Sequence, residues 1–204
     1  MRLRDLRFLC FFALLCVAGC GRMTSPQFHA QTNPERLSDW GVLYADQGAL
    51  RVAEGVQVYR LATPLFSDYA QKLRTVWLPP GQSARYSPSS VFEFPVGTVI
   101  SKTFYYRRAA QDGDRVSEAP NPEATSLDLR DVRLIETRLL VRRESGWVAL
   151  PYVWNEDQTE ARLTRAGASF ALRQVRDDGG EEAFTYMVPD SNQCAGCHAT
   201  NVKA

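Results

Sequence analysis

Two cysteines and one histidine lie close together near the end of the 204-residue sequence, in the segment Cys194-Ala195-Gly196-Cys197-His198. In a C-x-x-C-H segment, each thiol can add across one vinyl group of a haem, and the adjacent imidazole can bind the haem iron. A redox-active dithiol, half of a zinc site and a short disulfide use the same cysteine spacing. The motif predicts covalent haem c on Cys194 and Cys197, with His198 as the proximal ligand of the iron.

Residues 1–19 have the composition of a bacterial export signal. Basic residues precede an apolar run over residues 8–18, which is too short to span a bilayer as a stable helix. The run closes on Val17-Ala18-Gly19-Cys20, which resembles the lipobox of bacterial lipoproteins, although an ordinary signal cleaved near Cys20 would look similar. We therefore predict a signal peptide, lipid on Cys20, and a chain anchored at the periplasmic face of a membrane. In lipoproteins sorted to the inner membrane, an aspartate follows the lipidated cysteine. Here Gly21 follows Cys20, which favours the outer membrane.

Cysteine usage and charge both bear on compartment and partners. The two cysteines within the signal leave with it and Cys20 takes lipid, so Cys194 and Cys197 are the remaining thiols. An exported chain with this motif fits the bacterial periplasm, where c-type haem is attached. Removing the signal takes away three arginines and one aspartate, which changes the net charge from +1 to −1. This balance argues against a nucleic-acid partner.

The mature sequence divides into three segments by composition. Residues 20–36 are polar and lack periodicity, which predicts a tether between the lipid and a folded domain. Residues 37–190 contain runs of β-branched and aromatic residues separated by turn signals, which predicts a β-rich domain. Residues 191–204 form the haem attachment segment. The predicted fold class is mainly β, an antiparallel sandwich or open barrel with a short C-terminal helix that carries the haem motif.

Several strands are predicted from alternation and turn residues. The clearest is Thr98–Arg107, and a hairpin is predicted from Arg133–Val141 and Trp147–Trp154. Further strands are predicted in the runs GVQVYRLAT, KLRTVWLPPG, EARLTRAG, SFALRQV and EAFTYMVP. The segment LSDWGVLYAD predicts a short helix capped by its serine or its aspartate. Residues 109–128 predict a long polar loop.

Lys102 is unusual because it lies among apolar residues of the strand Thr98–Arg107. Period-2 alternation puts it on the same face as Ile100, Phe104 and Tyr106. Such a lysine either contacts a cofactor or extends its ammonium along the apolar surface to water, and the second interpretation is favoured. The other strand aromatics are predicted in the β core, with a haem pocket or a sugar-binding face as alternatives. They are Trp77, Trp147, Trp154, Tyr105, Tyr106 and Tyr152.

Few residues could bind the second face of the haem iron. Small c-type cytochromes commonly use a methionine that follows the motif, whereas six residues follow His198 here. Upstream candidates are Met23 and His29 in the predicted tether and Met187 in a predicted strand. A solvated histidine and a core methionine are the favoured interpretations of His29 and Met187. We therefore expect five-coordinate iron, or iron capped by a segment or partner outside this sequence.

Four blocks of the sequence together resemble a family of proteobacterial exported lipoproteins with haem-c motifs and no established reaction. They are PLFSDYAQKLRTVWLPPG, FPVGTVISKTFYY, IETRLLVRRESGWVALPYVWNEDQTEA and VPDSNQCAGCH, and the likeness covers about residues 37–200. The resemblance implies haem c at Cys194 and Cys197, with His198 as ligand. It also implies a chain that continues past this motif, so that this sequence is an N-terminal part. FPVGT before a lysine-bearing strand is also similar to haem–lysine cross-linked cytochromes, which oxidise hydroxylamine or bind nitric oxide.

These features predict a lipid-anchored periplasmic c-type cytochrome that binds haem and exchanges electrons with a redox partner protein. One alternative is a haem enzyme or gas-binding protein that acts on a small nitrogen or oxygen species through an open iron site. The other is a binding or scaffold module docked to a redox partner. An electron carrier is preferred to an enzyme. Asp68, Asp157 and Glu160 show no pairing that would make an acid–base couple, so no catalytic role is assigned to them.

Overall fold

The computed structural model describes residues 25–109, 113–117, 125–190 and Gln193. These residues form a mainly β fold around a large sheet that curls into an open half-barrel. The prediction of a mainly β fold is confirmed, and the predicted C-terminal helix falls outside the described residues. The elements are a 3-10 helix (Leu37–Trp40) and strands β1 (Leu43–Asp46), β2 (Ala49–Val52), β3 (Gln57–Val58), β4 (Gln71–Trp77), β5 (Val99–Arg108), β6 (Arg115–Ser117), β7 (Leu127–Asp128), β8 (Val132–Arg143), β9 (Gly146–Trp154), β10 (Ala161–Leu163), β11 (Ala168–Val175) and β12 (Glu181–Val188).

Strand β5 is the branch point of the large sheet. One of its edges pairs with β8, which continues to β9 and β10. Its other edge pairs with β4 along residues 99–105 and with β6 at residues 107–108. β3 extends the β4 branch, while β6 leads to β11 and β12. β6 and β11 are parallel because the long connection through β7–β10 returns the chain in the same direction, and this pair is an exception to the predicted antiparallel pairing.

The segment LSDWGVLYAD differs from its predicted structure. Only the first four residues are helical, in a single 3-10 turn with Arg36 at the N-cap and no side-chain capping bond. The segment then enters β1, which forms a hairpin with β2. The turn residues Gln47 and Gly48 have φ values of 48° and 76°, the left-handed conformation that two-residue hairpin turns require. With β7 this hairpin forms a separate three-stranded sheet.

Both faces of the central strands are covered by apolar side chains. On the first face, a large cluster that includes Trp40, Leu139 and Trp154 joins the large sheet to the small sheet. On the second face, a smaller cluster that includes Ile135 and Tyr186 joins the sheet to the hairpin β11–β12. Each large apolar side chain buried in this way stabilises the fold by about 1.5–3 kcal/mol. The second-face cluster includes Tyr186 and Val188, so it fixes β12, which leads to the C-x-x-C-H motif, against the centre of the sheet.

A β-bulge in β8 turns two consecutive residues toward the second face. Phe104 pairs with Glu136 and Tyr105 pairs with Leu134, which leaves Ile135 as the extra residue. Ile135 and Phe104 both belong to the second-face cluster. Because Glu136 lies directly opposite Phe104, the bulge brings a carboxylate into apolar surroundings.

Residues 25–36, part of the predicted tether, are in contact with the folded domain. A guanidinium nitrogen of Arg143, a buried residue, donates to the carbonyl oxygen of Thr32 at 2.6 Å. The hydroxyl of Tyr152 donates to the carbonyl oxygen of Pro34 at 2.8 Å. Main-chain carbonyls of this segment are therefore hydrogen-bonded to side chains of the sheet, which composition alone did not predict.

Candidate functional site

The predicted attachment residues lie outside the described residues: Cys20, Cys194, Cys197 and His198. Their roles stay predictions. The described chain extends through β12 to Asp190 and includes Gln193, which directly precedes the first cysteine of the motif. The contacts of β12, Asp190 and Gln193 therefore define where the segment with the C-x-x-C-H motif starts, which is called the haem segment below after its predicted role.

Asp190 and Gln193 are hydrogen-bonded to each other in both directions. The backbone N–H of Gln193 donates to Oδ1 of Asp190 at 2.8 Å, and the backbone N–H of Asp190 donates to Oε1 of Gln193 at 3.0 Å. This is the pattern of a capping box, in which the N-cap residue and the third helical residue satisfy each other's N–H groups. Asp190 thus has the geometry of an N-cap, a D-x-x-Q signal that the sequence reasoning missed.

Gly167 contacts the chain where it leaves β12. Its φ is +75°, and an added Cβ would lie 2.5 Å from the carbonyl oxygen of Val188 and 3.3 Å from the nitrogen of Asp190. Glycine is required both by this left-handed conformation and by the close approach of the two backbones. The contact holds the end of β12 against the loop that precedes β11.

The side chain of Tyr186 connects β12 to the central sheet. Its hydroxyl donates to Oε1 of Glu136 at 2.7 Å, and Glu136 is 0% exposed. Arg138 donates to both oxygens of the same carboxylate, from Nη2 to Oε1 at 2.6 Å and from Nε to Oε2 at 2.8 Å. Oε1 accepts one bond from the hydroxyl and one from the guanidinium, and Oε2 accepts one from the guanidinium, so the buried charge is compensated. Glu136 therefore acts as an anchor for β12.

Burial and neighbouring charges shift the pKa values of two side chains on the second face, Tyr186 and Lys72. Burial raises the pKa of Tyr186, and the neighbouring charge of Glu136 raises it further. Burial lowers the pKa of Lys72, and the positive charges of Arg74 and Lys102 lower it further. Tyr186 is therefore a hydrogen-bond donor across the physiological pH range, and the cations near Lys72 create a field that favours anions.

Two rows of side chains cross the second face beyond Glu136. Strand register aligns three basic residues across β4, β5 and β8, which define the cation row: Arg74, Lys102 and Arg138. A second row lies two residues from the cation row along β4, β5 and β8, and it continues onto β9. Its four residues are apolar and half-buried, and they define the apolar row: Val76, Ile100, Leu140 and Ala149. This part of the face is thus positive along one line and apolar along the next.

Lys102 and Arg138 lie against the ring of Phe104. The Nζ atom of Lys102 is 5.1 Å from the ring centroid, and the guanidinium carbon of Arg138 is 4.4 Å from it. Cation–π contacts of this kind contribute about 0.5–2 kcal/mol each. The prediction that Lys102 shares a face with Phe104 is confirmed. Its contact with a cofactor stays a prediction.

The candidate axial ligands differ from their predicted surroundings. Met187 lies in a strand as predicted, but its side chain is 63% exposed, so its assignment to the core is wrong. Strand alternation explains this, because the adjacent Tyr186 points into the second-face cluster. His29 is half-buried rather than solvated, since its ring packs edge-to-face on Trp40 with centroids 4.9 Å apart. Met23 lies outside the described residues.

Most of the aromatic side chains build the core, as predicted. The buried ones are Trp77, Trp154, Tyr105, Tyr106 and Tyr152. Trp147 is half-buried and contacts Phe94 with ring centroids 5.8 Å apart. Trp40, which the sequence reasoning did not select, is 0% exposed and donates from Nε1 to the hydroxyl of Tyr152 at 2.7 Å.

The described residues contain no cluster of three or more histidine, cysteine, aspartate or glutamate side chains able to hold a metal ion. Within that part of the chain, no helix is long and apolar enough to cross a membrane. Comparisons with protein families, curated proteins and solved structures give no match. Function must therefore be inferred from the residues of this chain.

Proposed function

We propose that this chain is a lipid-anchored periplasmic c-type cytochrome that carries electrons to or from a redox partner protein. The observation that carries the proposal is the C-x-x-C-H motif, which follows directly after the Asp190–Gln193 capping pair. If a helix begins at this cap, Cys194 and Cys197 would share one side of it, because residues three apart are neighbours on a helix surface. Both thiols can then reach the two vinyl groups of one haem.

Each thiol would add its S–H across one vinyl double bond of the haem, so that a thioether forms and no group leaves. The imidazole of His198 would supply a ligand to the iron. Bound haem supplies an iron centre that cycles between Fe(II) and Fe(III). The two thioethers hold this centre at a fixed place on the protein.

The strand that leads to the motif is held rigidly, which suits electron transfer. Three contacts hold the end of β12: the Tyr186–Glu136 bond, the Gly167 contact and the second-face cluster. Functional groups keep their geometry best on rigid elements with supporting hydrogen bonds. A carrier mounted in this way keeps its distance to a docked partner in both oxidation states.

The N-terminal sequence supports the proposed location. Residues 1–19 have the features of an export signal, and Cys20 ends a lipobox-like segment. Export brings the chain to the compartment in which haem c is attached, and lipid on Cys20 holds it at a membrane surface.

The first experiment tests haem attachment. The full chain is co-expressed with a periplasmic haem maturation system, denatured, separated by electrophoresis and stained for haem. We expect a stained band for the wild type and for Cys16→Ala, which removes a cysteine of the signal. We expect no stained band for the double variant Cys194→Ala/Cys197→Ala. A colourless band from exported wild-type protein contradicts the proposal.

The second experiment separates an electron carrier from a gas-binding or enzymatic haem protein. The haem-loaded chain is reduced and reoxidised chemically while its visible spectrum is followed, and carbon monoxide is added to the reduced form. Because five-coordinate iron is expected in this chain, its reduced form is expected to bind carbon monoxide. A carrier is expected to lose this binding when a redox partner that caps the iron is bound, whereas carbon monoxide binding that persists in the partner complex favours the alternative of an open iron site.

A further inference from the structure

Residues 82–94, the aromatic hairpin, lie between β4 and β5 at one end of the large sheet. Arg85 and Glu93 pair across the hairpin: each backbone N–H donates to the carbonyl oxygen of the other residue, at 2.9 and 3.0 Å, and the side chains form an ion pair. At the base, Gly97 approaches Pro79 so closely that an added Cβ would lie 2.6 Å from Cγ of the proline. These contacts fix the hairpin to the sheet.

The tip of the aromatic hairpin, from Tyr86 to Phe92, exposes large apolar side chains and contains no charged residue. Tyr86, Val91 and Phe92 are each more than half exposed. The ring centroids of Tyr86 and Phe92 are 6.0 Å apart, those of Phe92 and Phe94 are 6.1 Å apart, and Phe94 continues the contacts to Trp147 of β9. An apolar patch that the fold holds at the surface in this way indicates contact with a lipid surface or another protein.

The proposed lipid on Cys20 would keep the folded domain close to a membrane. The backbone N–H of Gln27 donates to the carbonyl oxygen of Trp40 at 2.8 Å, so the chain is bound to the domain from this residue onward. The seven steps from Cys20 to Gln27 span at most about 25 Å. On so short a connection, even a weak affinity of the domain for lipid is enough for docking, because the lipid surface is always near.

The N-terminal segment and the aromatic hairpin meet the sheet at the same end. Arg143 donates to the carbonyl oxygen of Thr32, and the preceding Arg142 pairs with Trp147, which contacts the hairpin. A second exposed apolar loop, residues 61–69, leads into β4 at the opposite end of the sheet. This placement favours the aromatic hairpin over the 61–69 loop as the part that faces the membrane.

We propose that the tip of the aromatic hairpin inserts into the surface of the membrane to which the chain is anchored, with the Arg85–Glu93 ion pair left in water. This inference rests on the proposed lipid at Cys20. A lipid surface has the required chemistry, because aromatic side chains prefer the boundary between headgroups and acyl chains and apolar side chains leave water favourably. The tip inserts without the cost of desolvating a charge. Docking gives the domain one orientation on the membrane.

The direct test is photolabelling of exported, lipid-anchored wild-type protein in phospholipid vesicles that contain a lipid with a photoreactive acyl chain. Trypsin should release the tip in the peptide of residues 86–102 and the second apolar loop in that of residues 61–72, because each is bounded by basic residues and contains none inside. The label on peptide 86–102 is expected to exceed that on peptide 61–72 about tenfold, as for a docked orientation favoured by about 1.4 kcal/mol.

Two matched double variants test the side chains responsible. Val91→Ser/Phe92→Ser removes two exposed apolar side chains from the tip, and Leu65→Ser/Phe66→Ser removes two from the second loop. The label on peptide 86–102 is expected to fall about tenfold in the first variant and to stay unchanged in the second. Because all four side chains are exposed, both variants are expected to keep the urea midpoint of the wild type, which verifies that they fold.

The outcomes are distinguishable. Equal label on the two peptides, or more label on peptide 61–72, overturns the docking and leaves the anchor standing if palmitate is present on Cys20. An unlabelled tip in these vesicles, which contain no other protein, also overturns the docking and assigns the tip to a protein partner. Absence of palmitate from exported wild-type protein overturns the proposed anchor, and the docking with it.

Discussion

The Tyr186→Phe substitution tests whether the buried Glu136 anchors the strand that leads to the haem segment. It removes one oxygen atom and keeps the aromatic ring in the second-face cluster. The lost hydroxyl donates to Oε1 of Glu136 at 2.7 Å. Arg138 continues to donate to both oxygens of the carboxylate. The substitution therefore isolates one hydrogen bond to a fully buried charge.

The expected loss of stability follows from the charge of the acceptor. A hydrogen bond to a charged group contributes about 1.5–3 kcal/mol. The acceptor atom, Oε1 of Glu136, keeps its bond from Arg138, so no additional cost of an unpaired acceptor is expected. We expect Tyr186→Phe to lower the free energy of unfolding by about 2 kcal/mol. Glu136→Ala removes the buried carboxylate and with it both bonds that Arg138 donates to it, so a larger loss of about 3–5 kcal/mol is expected.

Urea unfolding followed by tryptophan fluorescence measures both changes. With a denaturant slope of about 2 kcal/mol/M, the expected loss for Tyr186→Phe moves the midpoint down by about 1 M. The matched control is Tyr59→Phe, because Tyr59 is half-buried and its hydroxyl makes no hydrogen bond within the described part of the chain. A midpoint for Tyr186→Phe that equals that of Tyr59→Phe within error would refute the anchor.

Three further predictions concern pH, capping and lipid. Burial raises the pKa of Tyr152 to about 12, whereas an unfolded tyrosine titrates near about 10. The neutral tyrosine therefore stabilises the fold fully below a pH of about 10, and this contribution is lost as the pH rises toward 12. The urea midpoint, measured as a function of pH, should fall over this range. The fall should be smaller in Tyr152→Phe. Asp190→Ala should destabilise the start of the haem segment by about 1 kcal/mol and make its backbone amides exchange hydrogen faster. Asp190→Asn keeps a capping oxygen and should change the exchange rate little. Equal exchange rates in the two variants would contradict the cap. Radiolabelled palmitate should enter the wild type but not Cys20→Ser, and label retained in that variant would place the lipid elsewhere.

Alternation and turn residues were enough to predict the central strands. The strand predicted over Thr98–Arg107 corresponds to β5, and the predicted hairpin corresponds to β8 and β9. These strands were predictable because each has a regular pattern of apolar residues and ends at a turn. The fold depends on them most, since they form the middle of the large sheet.

Other elements depend on contacts that local pattern does not encode. In LSDWGVLYAD, Leu37 and Trp40 have helical spacing, yet both are buried by the small sheet around a hairpin. The Gln47-Gly48 turn was the available signal for that hairpin. β6 is a three-residue strand within a polar segment, and only its parallel pairing with β11 makes it a strand. Tertiary contacts decide such short segments.

The candidate site was predictable in its chemistry and not in its surroundings. The motif residues Cys194, Cys197 and His198 are recognised from spacing alone. Glu136 was missed because a carboxylate within a strand is usually exposed, and only the bulge at Ile135 turns it inward. The cation row was missed because it joins residues far apart in sequence, which strand register alone brings together.

The most direct test of the central claim is the mass of the peptide that carries the motif. Trypsin should release residues 177–203 as one peptide, because no lysine or arginine lies between Arg176 and Lys203. From exported wild-type protein, this peptide is expected to carry the mass of one intact haem, joined at both cysteines and absorbing in the Soret region. A peptide with two free thiols, or with a disulfide between Cys194 and Cys197, would contradict covalent haem and with it the assignment as a c-type cytochrome.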